Sequence, residues 1–418
     1  MESLNNLDKV LEKKLKNINS YCNNFYYQEE LFLCDENFKN KFYFENLTDD
    51  CFFDCIGAKN EFVEFYKKII KSGVGLIILG GVKPGLSAQI KNNQARISLC
   101  NETLSKYKII TKFAHSNQSK ILLKIKPDIG RFCNSKNNKT NLKYGSDFCL
   151  DPENRKKLVL RTSDNKCNDL ISDISQTVHY SNISGFDGVL IDASLSNIIG
   201  ELSSIELNKR VFGYYSNSDD FLTRLLKNIN AKNNFIIIKI NILTLYSYKN
   251  KHSNLCDVTQ NLNTNIIIKN LVKYIELGVD GFEFVFGRIE NEFFTNFNQF
   301  ESSLLFEEFV EEFQKYLKQN NIQTTNGKDV LILYKDNFYD FEKPSSLIKN
   351  KVVNLIDITR NIYSDINFLK NIKNAKKVKN CLKCSYCNKI SKENQIIDCL
   401  INPELMSFEV LNLEPNKI

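Results

Sequence analysis

Short runs of five to seven residues, rich in β-branched and aromatic side chains, recur along the chain and alternate with stretches of amphipathic helical periodicity. That alternation is the pattern of βα units laid into a parallel sheet. Eight runs qualify as strands: Phe42 to Leu47, Val74 to Leu79, Lys120 to Ile125, Asp187 to Ile191, Phe235 to Ile240, Gly281 to Phe286, Val330 to Tyr334 and Val352 to Ile358. Between the fifth and sixth, Ile266, Leu271, Tyr274 and Ile275 repeat at helical spacing, and Leu304 to Leu317 does the same before the seventh. Runs such as Phe235-Ile236-Ile237-Ile238 are apolar on both faces, as strands wrapped by helices must be. Eight such units suit a (β/α)8 barrel, although periodicity alone leaves a doubly wound open sheet equally open.

The barrel reading divides the chain into an N-terminal helix and hairpin over residues 1–41, a barrel over 42–379 and a short cysteine-bearing tail over 380–418. Residues 133–168, rich in Asn, Lys and Ser, read as a long polar insertion after the third strand. On a barrel that insertion lies on the face where active sites are built.

Composition changes this picture little. The 418 residues are 42% hydrophobic and 25% charged, an ordinary globular balance, and the net charge of +7 is spread over scattered lysines. Scattered charge argues against a nucleic-acid footprint. No apolar run is long enough to span a membrane and the N-terminus lacks a signal-peptide core, so the expectation is a cytoplasmic protein.

Cysteine changes it more. Nine of the 13 cysteines are scattered, as small buried hydrophobes are, but the last four form Cys381-x2-Cys384-x2-Cys387-x11-Cys399. Three close thiolates and a distant fourth suit the corners of an iron–sulfur cube; tetrahedral zinc accepts the same four ligands. Structural zinc more often shows two Cys-x2-Cys pairs, which favours iron–sulfur.

Several segments together resemble one family. Phe65-Tyr66-x6-Gly73-Val74-Gly75-Leu76 is similar to the second-strand segment of the NADH:flavin oxidoreductase/old yellow enzyme barrels, and His115 through Lys124 to the run into their third strand. Ser184-Gly185-Phe186-Asp187-Gly188-Val189 looks like the fourth strand, with Asn208, Arg210 and Tyr214 following as in the family's architectural N-x-R-x-D-x-Y segment. The cysteine motif, trailed by Asn402-Pro403, is similar to that of the 2,4-dienoyl-CoA reductase, 2-enoate reductase and trimethylamine dehydrogenase branch, which carries a 4Fe–4S cluster after the eighth strand.

The resemblance implies FMN, with Lys124 where the family has a flavin-reading Gln, Lys239 where it has an Arg, and Lys335 and Arg360 at the phosphate end. A Lys keeps a cation there but not planar, multidentate hydrogen bonding. Asp192 stands where the family places a His pair that polarises the substrate, and an anionic Asp cannot donate to an oxyanion unless it is protonated. The phosphate-binding glycines are replaced by Tyr334-Lys335 and Thr359, and Asn46 stands in place of a Pro. The implied activity is electron or hydride transfer from flavin to a small unsaturated, enoyl-type substrate. Electrons would come from NAD(P)H, a separate reductase or a ferredoxin-like donor. The alternative is a catalytically degenerate barrel with a structural or interaction role, in which Tyr334 turns inward to fill the flavin slot.

Overall fold

The computed structural model describes residues 28–35, 37–46, 52–53, 58–84, 101–127, 143–145, 149–150, 158–194, 197–204, 207–229, 234–241, 264–285, 299–335, 341–382, 384, 386–387, 399–402 and 405. Most of the expected N-terminal cap and much of the C-terminal tail lie outside these residues.

The strands β1 (Phe42–Glu45), β2 (Leu76–Val82) and β3 (Lys120–Ile125) open the sheet. Within the predicted insertion, β4 (Lys143–Gly145), β5 (Cys149–Leu150) and β6 (Leu158–Arg161) form a separate small sheet in the order β4-β6-β5. The main sheet resumes with β7 (Gly188–Ala193), β8 (Ile236–Asn241), β9 (Gly281–Val285), β10 (Leu331–Tyr334) and β11 (Leu355–Asp357). Its eight strands close as β1-β11-β10-β9-β8-β7-β3-β2, every pair parallel. Every predicted strand is present, and closure excludes the open sheet.

The helices are α1 (Glu29–Phe32), α2 (Asn60–Lys71), α3 (Asn101–Ser116), α4 (Asp164–Ile183), α5 (Ile198–Leu202), α6 (Asp220–Asn228), α7 (Thr264–Glu276), α8 (Gln299–Gln319), α9 (Glu342–Lys349), α10 (Thr359–Ser364) and α11 (Phe368–Lys373). Leu271, Tyr274 and Ile275 of α7 are buried, as their spacing predicts. The insertion expected over 133–168 gives way to α4 at Asp164, where Ser163 caps the helix by accepting from Lys166 N.

Because successive strand residues face opposite ways, the barrel has two cores. Phe44, Ile77, Leu123, Val189, Ile238, Phe282, Ile332 and Ile356 pack outward against the helices. Tyr43, Leu76, Ile78, Leu122, Leu190, Ile237, Leu333 and Leu355 fill the interior, with Phe38 below them. At Gly188 the backbone of β8 comes so close that a Cβ would lie 2.2 Å from the Phe235 carbonyl oxygen. The Gly188→Ala variant is therefore expected to lose about 1–3 kcal/mol, the usual cost of overpacking, as measured by urea denaturation; an unchanged midpoint would show that β7 and β8 can separate freely.

Candidate functional site: a ring of charge and a thiol pocket

Two residues beyond the apolar interior layer, the same alternation turns the next side chain of each strand inward at the C-terminal mouth. Going round the barrel these are Glu45, Gly80, Lys124, Asp192, Lys239, Glu283, Lys335 and Asp357. Apart from Gly80, acid and base alternate from Lys124 to Asp357, and Glu45 closes the ring beside Asp357. Of the seven charged residues, only Lys335 exceeds one tenth exposure.

Glu45 is the hub. Its carboxylate accepts from Lys239 through both oxygens at 2.9 Å and also pairs with Lys124 and Lys335. Lys239 gives its third contact to Glu283 Oε1 at 3.1 Å, so its three ammonium donors are committed. Lys335 stands 3.8 Å from Glu283 and 3.9 Å from Asp357. Burial alone would raise the Glu45 carboxyl, yet the three lysines hold it well below its ordinary range. Burial pulls Lys239 and Lys335 down, but the surrounding carboxylates win and raise both. At Lys124 burial prevails over Glu45 and lowers the ammonium.

Asp192 is fixed by its own loop. Its Oδ1 accepts from Ser194 N at 3.0 Å and Ser194 Oγ at 2.5 Å, and Lys124 lies 3.6 Å from Oδ2. Burial opposes ionisation, but Lys124 and its neighbours keep the carboxyl below its usual value. An ionised Asp192 has no proton to donate where a His pair would polarise a carbonyl. Asn197 donates to the Asp192 carbonyl at 2.9 Å and caps α5 by accepting from Ile199 N at 2.9 Å.

At the start of α10, Thr359 N and Thr359 Oγ1 both donate to Asp357 Oδ1, the former at 2.9 Å. The donors expected at a phosphate end thus already hold a carboxylate. Arg360 does not join the ring: together with Tyr363 it lines a pocket formed by Cys381, Cys384, Cys387 and Cys399. Lys335 likewise turns to Glu45, so the two residues assigned to the phosphate end are not brought together. Tyr334 is buried in the outer core, not in the mouth.

The thiol pocket is attached to the barrel by polar contacts. Asn402 N donates to the Cys399 carbonyl at 3.1 Å and Asn402 Nδ2 to the Tyr363 carbonyl at 2.9 Å, while Tyr363 Oη donates to Asn46 next to Glu45. Burial pushes the Cys399 thiol up to about 12. The pocket gathers all four predicted cysteines. As the side chains stand, however, no three His, Cys, Asp or Glu groups among the described residues converge closely enough to hold a metal ion.

Sequence reasoning found Lys124, Asp192, Lys239 and Lys335 but missed Glu45, Glu283 and Asp357. The signal was available: Phe-Glu, Leu-Lys-Ile, Ile-Asp-Ala, Ile-Lys-Ile, Phe-Glu-Phe and Ile-Asp-Ile each set a charge at a strand end beside apolar residues. Asn208 and Arg210 hold the loop after α5. Asn208 Nδ2 donates to Leu202 O at 3.0 Å and Tyr215 O at 2.9 Å, and Arg210 pairs with Asp164 at 2.8 Å.

The fold is a closed parallel (β/α)8 barrel with a ring of charged side chains at its C-terminal mouth and a cysteine pocket after the last strand. The model of the NADH:flavin oxidoreductase / NADH oxidase family matches residues 36–378, and the chain belongs to that family. No curated protein matches the sequence. Among solved structures, 2-naphthoyl-CoA reductase in complex with 2-naphthoyl-CoA is 15% identical with a TM-score of 0.66, over 90% of this chain and 57% of that one. Histamine dehydrogenase from Rhizobium sp. 4-9 is 13% identical with a TM-score of 0.67, over 90% of this chain and 53% of its own. The old yellow enzyme homologue from Zymomonas mobilis is 14% identical with a TM-score of 0.60, over 89% of this chain and 96% of that one. The chain spans little more than half the length of the first two, and at these identities the likeness is one of fold. No helix among the described residues is long and apolar enough to cross a membrane.

Proposed function

We propose that the protein is a flavin-linked oxidoreductase, with FMN over the barrel mouth and a 4Fe–4S cluster, or zinc, in the thiol pocket. The observation that carries the reading is family membership across the whole barrel, 36–378, joined to lysines at the strand ends of the mouth. The pyrimidine end of an isoalloxazine fits this chain: an ammonium has three donors, and Lys124 and Lys335 retain some beyond their contacts to Glu45. The phosphate end does not fit in the manner of the family, because Asp357 already takes the Thr359 donors and repels a second anion.

When bound, FMN supplies hydride exchange between a nicotinamide or other donor and a small unsaturated substrate. Lys124 and Lys335 set a positive field at the mouth, Lys239 holds Glu45 and Glu283 in place, and Asp192 orders the turn into α5. Cys381, Cys384, Cys387 and Cys399 supply soft anionic ligands once deprotonated. Electrons reach such a site from NAD(P)H, a reductase or a ferredoxin-like protein. The reading places the protein in the cytoplasm, with segments 1–41, 42–379 and 380–418 as cap, barrel and cluster tail.

Asp357 in the phosphate position favours a second reading, a barrel that keeps its shape through the charge ring without flavin. Anaerobic purification, a visible spectrum and analysis of iron, acid-labile sulfide and zinc on one sample separate the two. Flavin bands are expected under the first reading; their absence after reconstitution with FMN would leave the second.

A further inference from the structure

The mouth ring carries one negative charge too many. Four carboxylates, Glu45, Asp192, Glu283 and Asp357, face three ammonium groups, Lys124, Lys239 and Lys335, and water has little access to any of them but Lys335. Glu45 and Glu283 bind the same Lys239 ammonium, so two carboxylates share one counterion at close range. Their surroundings differ. Glu45 is met by all three lysines, whereas the contacts of Glu283 all fall on Oε1: Lys239 at 3.1 Å, Lys335 at 3.8 Å and the Tyr43 hydroxyl at 3.4 Å. Glu283 Oε2 is buried and has no hydrogen-bond partner, and the residue is fully excluded from solvent.

We propose that the ring is a one-proton site and that the proton resides on Glu283, which stands in the mouth as a neutral carboxylic acid. Two like charges sharing one site cannot both ionise freely, and the proton goes to the member with fewer cationic contacts. The direction of titration agrees: burial, followed by the charge of Glu45, raises Glu283, while the lysines hold Glu45 low. Burial raises Asp357 as well, but Asp357 accepts two Thr359 donors, which favour its ionised form, whereas Glu283 Oε2 accepts none. With that proton the ring is neutral. Glu283 then holds an O–H donor at the mouth, where ionised Asp192 has none. The proton is inferred from the ring alone.

Infrared spectra of the full-length protein without added flavin test it directly. At pH ~7.5 the wild type is expected to show a neutral carboxylic acid carbonyl band that Glu283→Gln lacks and Asp357→Asn retains. Asp280, which burial pushes up to about 6, is mostly ionised at that pH and does not confuse the assignment. Identical wild-type and Glu283→Gln spectra, or a band lost only in Asp357→Asn, would overturn the proposal. Stability gives a second readout. Because the folded pKa is raised, the unfolded chain releases this proton first, and wild-type stability falls as pH rises from ~4.5 to the folded value. Glu283→Gln, which mimics the neutral acid, is expected to remove that part of the slope and to fold as well as wild type at pH ~7.5. A variant that unfolds there would show that Lys239 needs a carboxylate at this position. Neither readout depends on flavin, so a flavin-free protein leaves this test intact.

Discussion

Glu45→Gln is expected to lower stability by about 3–5 kcal/mol at neutral pH, as loss of one partner from a buried ion pair generally does. The residue is 1% exposed and accepts from Lys239, Lys124 and Lys335, which come from three different strands or strand ends. Gln offers one carbonyl oxygen and an amide donor that points positive hydrogens at ammonium groups. The lysines would be left facing each other, with Glu283, Asp192 and Asp357 as incomplete counterions. Replacing the hub and its main partner together, as Glu45→Met with Lys239→Met, is expected to recover part of the loss, because Lys239 is no longer stranded while Lys124 and Lys335 keep Asp192 at 3.6 Å and Asp357 at 3.9 Å. The pH dependence has a definite sign. Glu45 is held below its ordinary range, so its contribution is fully present above the unfolded value near 4.5 and fades as pH falls toward the folded value. Urea denaturation from pH ~3 to ~7 should show the wild type and Glu45→Gln converging at the acid end. Curves that stay parallel would mean that the carboxylate contributes little and that packing carries the mouth.

The barrel was legible because its evidence is local. A strand buried on both faces must be apolar throughout, and eight such runs with helical spacing between them allow few other folds. The ring was half legible. Lys239 drew notice as a cation in an isoleucine run, but its partners Glu45 and Glu283 lie 194 and 44 residues away, and no one-dimensional pattern pairs them. Counting two residues on from each interior apolar side chain would have found six of the seven charges, all but Glu283, which follows Gly281, since alternation fixes the face even when register is unknown. Arg360 stands apart from the ring, and its placement was hidden for a related reason. Its place after the eighth strand was readable, but which side of the short α10 it occupies was not, and that decides between the Asp357 end and the thiol pocket. The small sheet β4-β6-β5 escaped because β4, β5 and β6 are only three, two and four residues long. Strands that short hold too few positions for an alternation of two to register.

Cys384→Ser is expected to abolish metal content while leaving the barrel folded. Cys384 is exposed, so the change removes no core packing, whereas Cys387 and Cys399 contact the outer core and would confound the result. Four thiols line the pocket, and a soft four-ligand centre that loses one thiolate is left with a weaker oxygen donor at one corner. Iron and sulfide per chain, or zinc per chain, should fall from near one centre to background, and the broad visible absorbance of an iron–sulfur protein should vanish with them. Two other cysteines serve as controls. Cys34 is exposed outside the motif, and Cys167 is a buried thiol pushed up to about 11 chiefly by burial, against the pull of Arg210. Their Ser variants should keep full metal content, although Cys167→Ser places a hydroxyl in the core and should cost some stability. Metal retained in Cys384→Ser, or lost equally in all three variants, would remove the pocket as its site. The four cysteines would then be ordinary thiols on a tail held to the barrel by Asn402 and Tyr363.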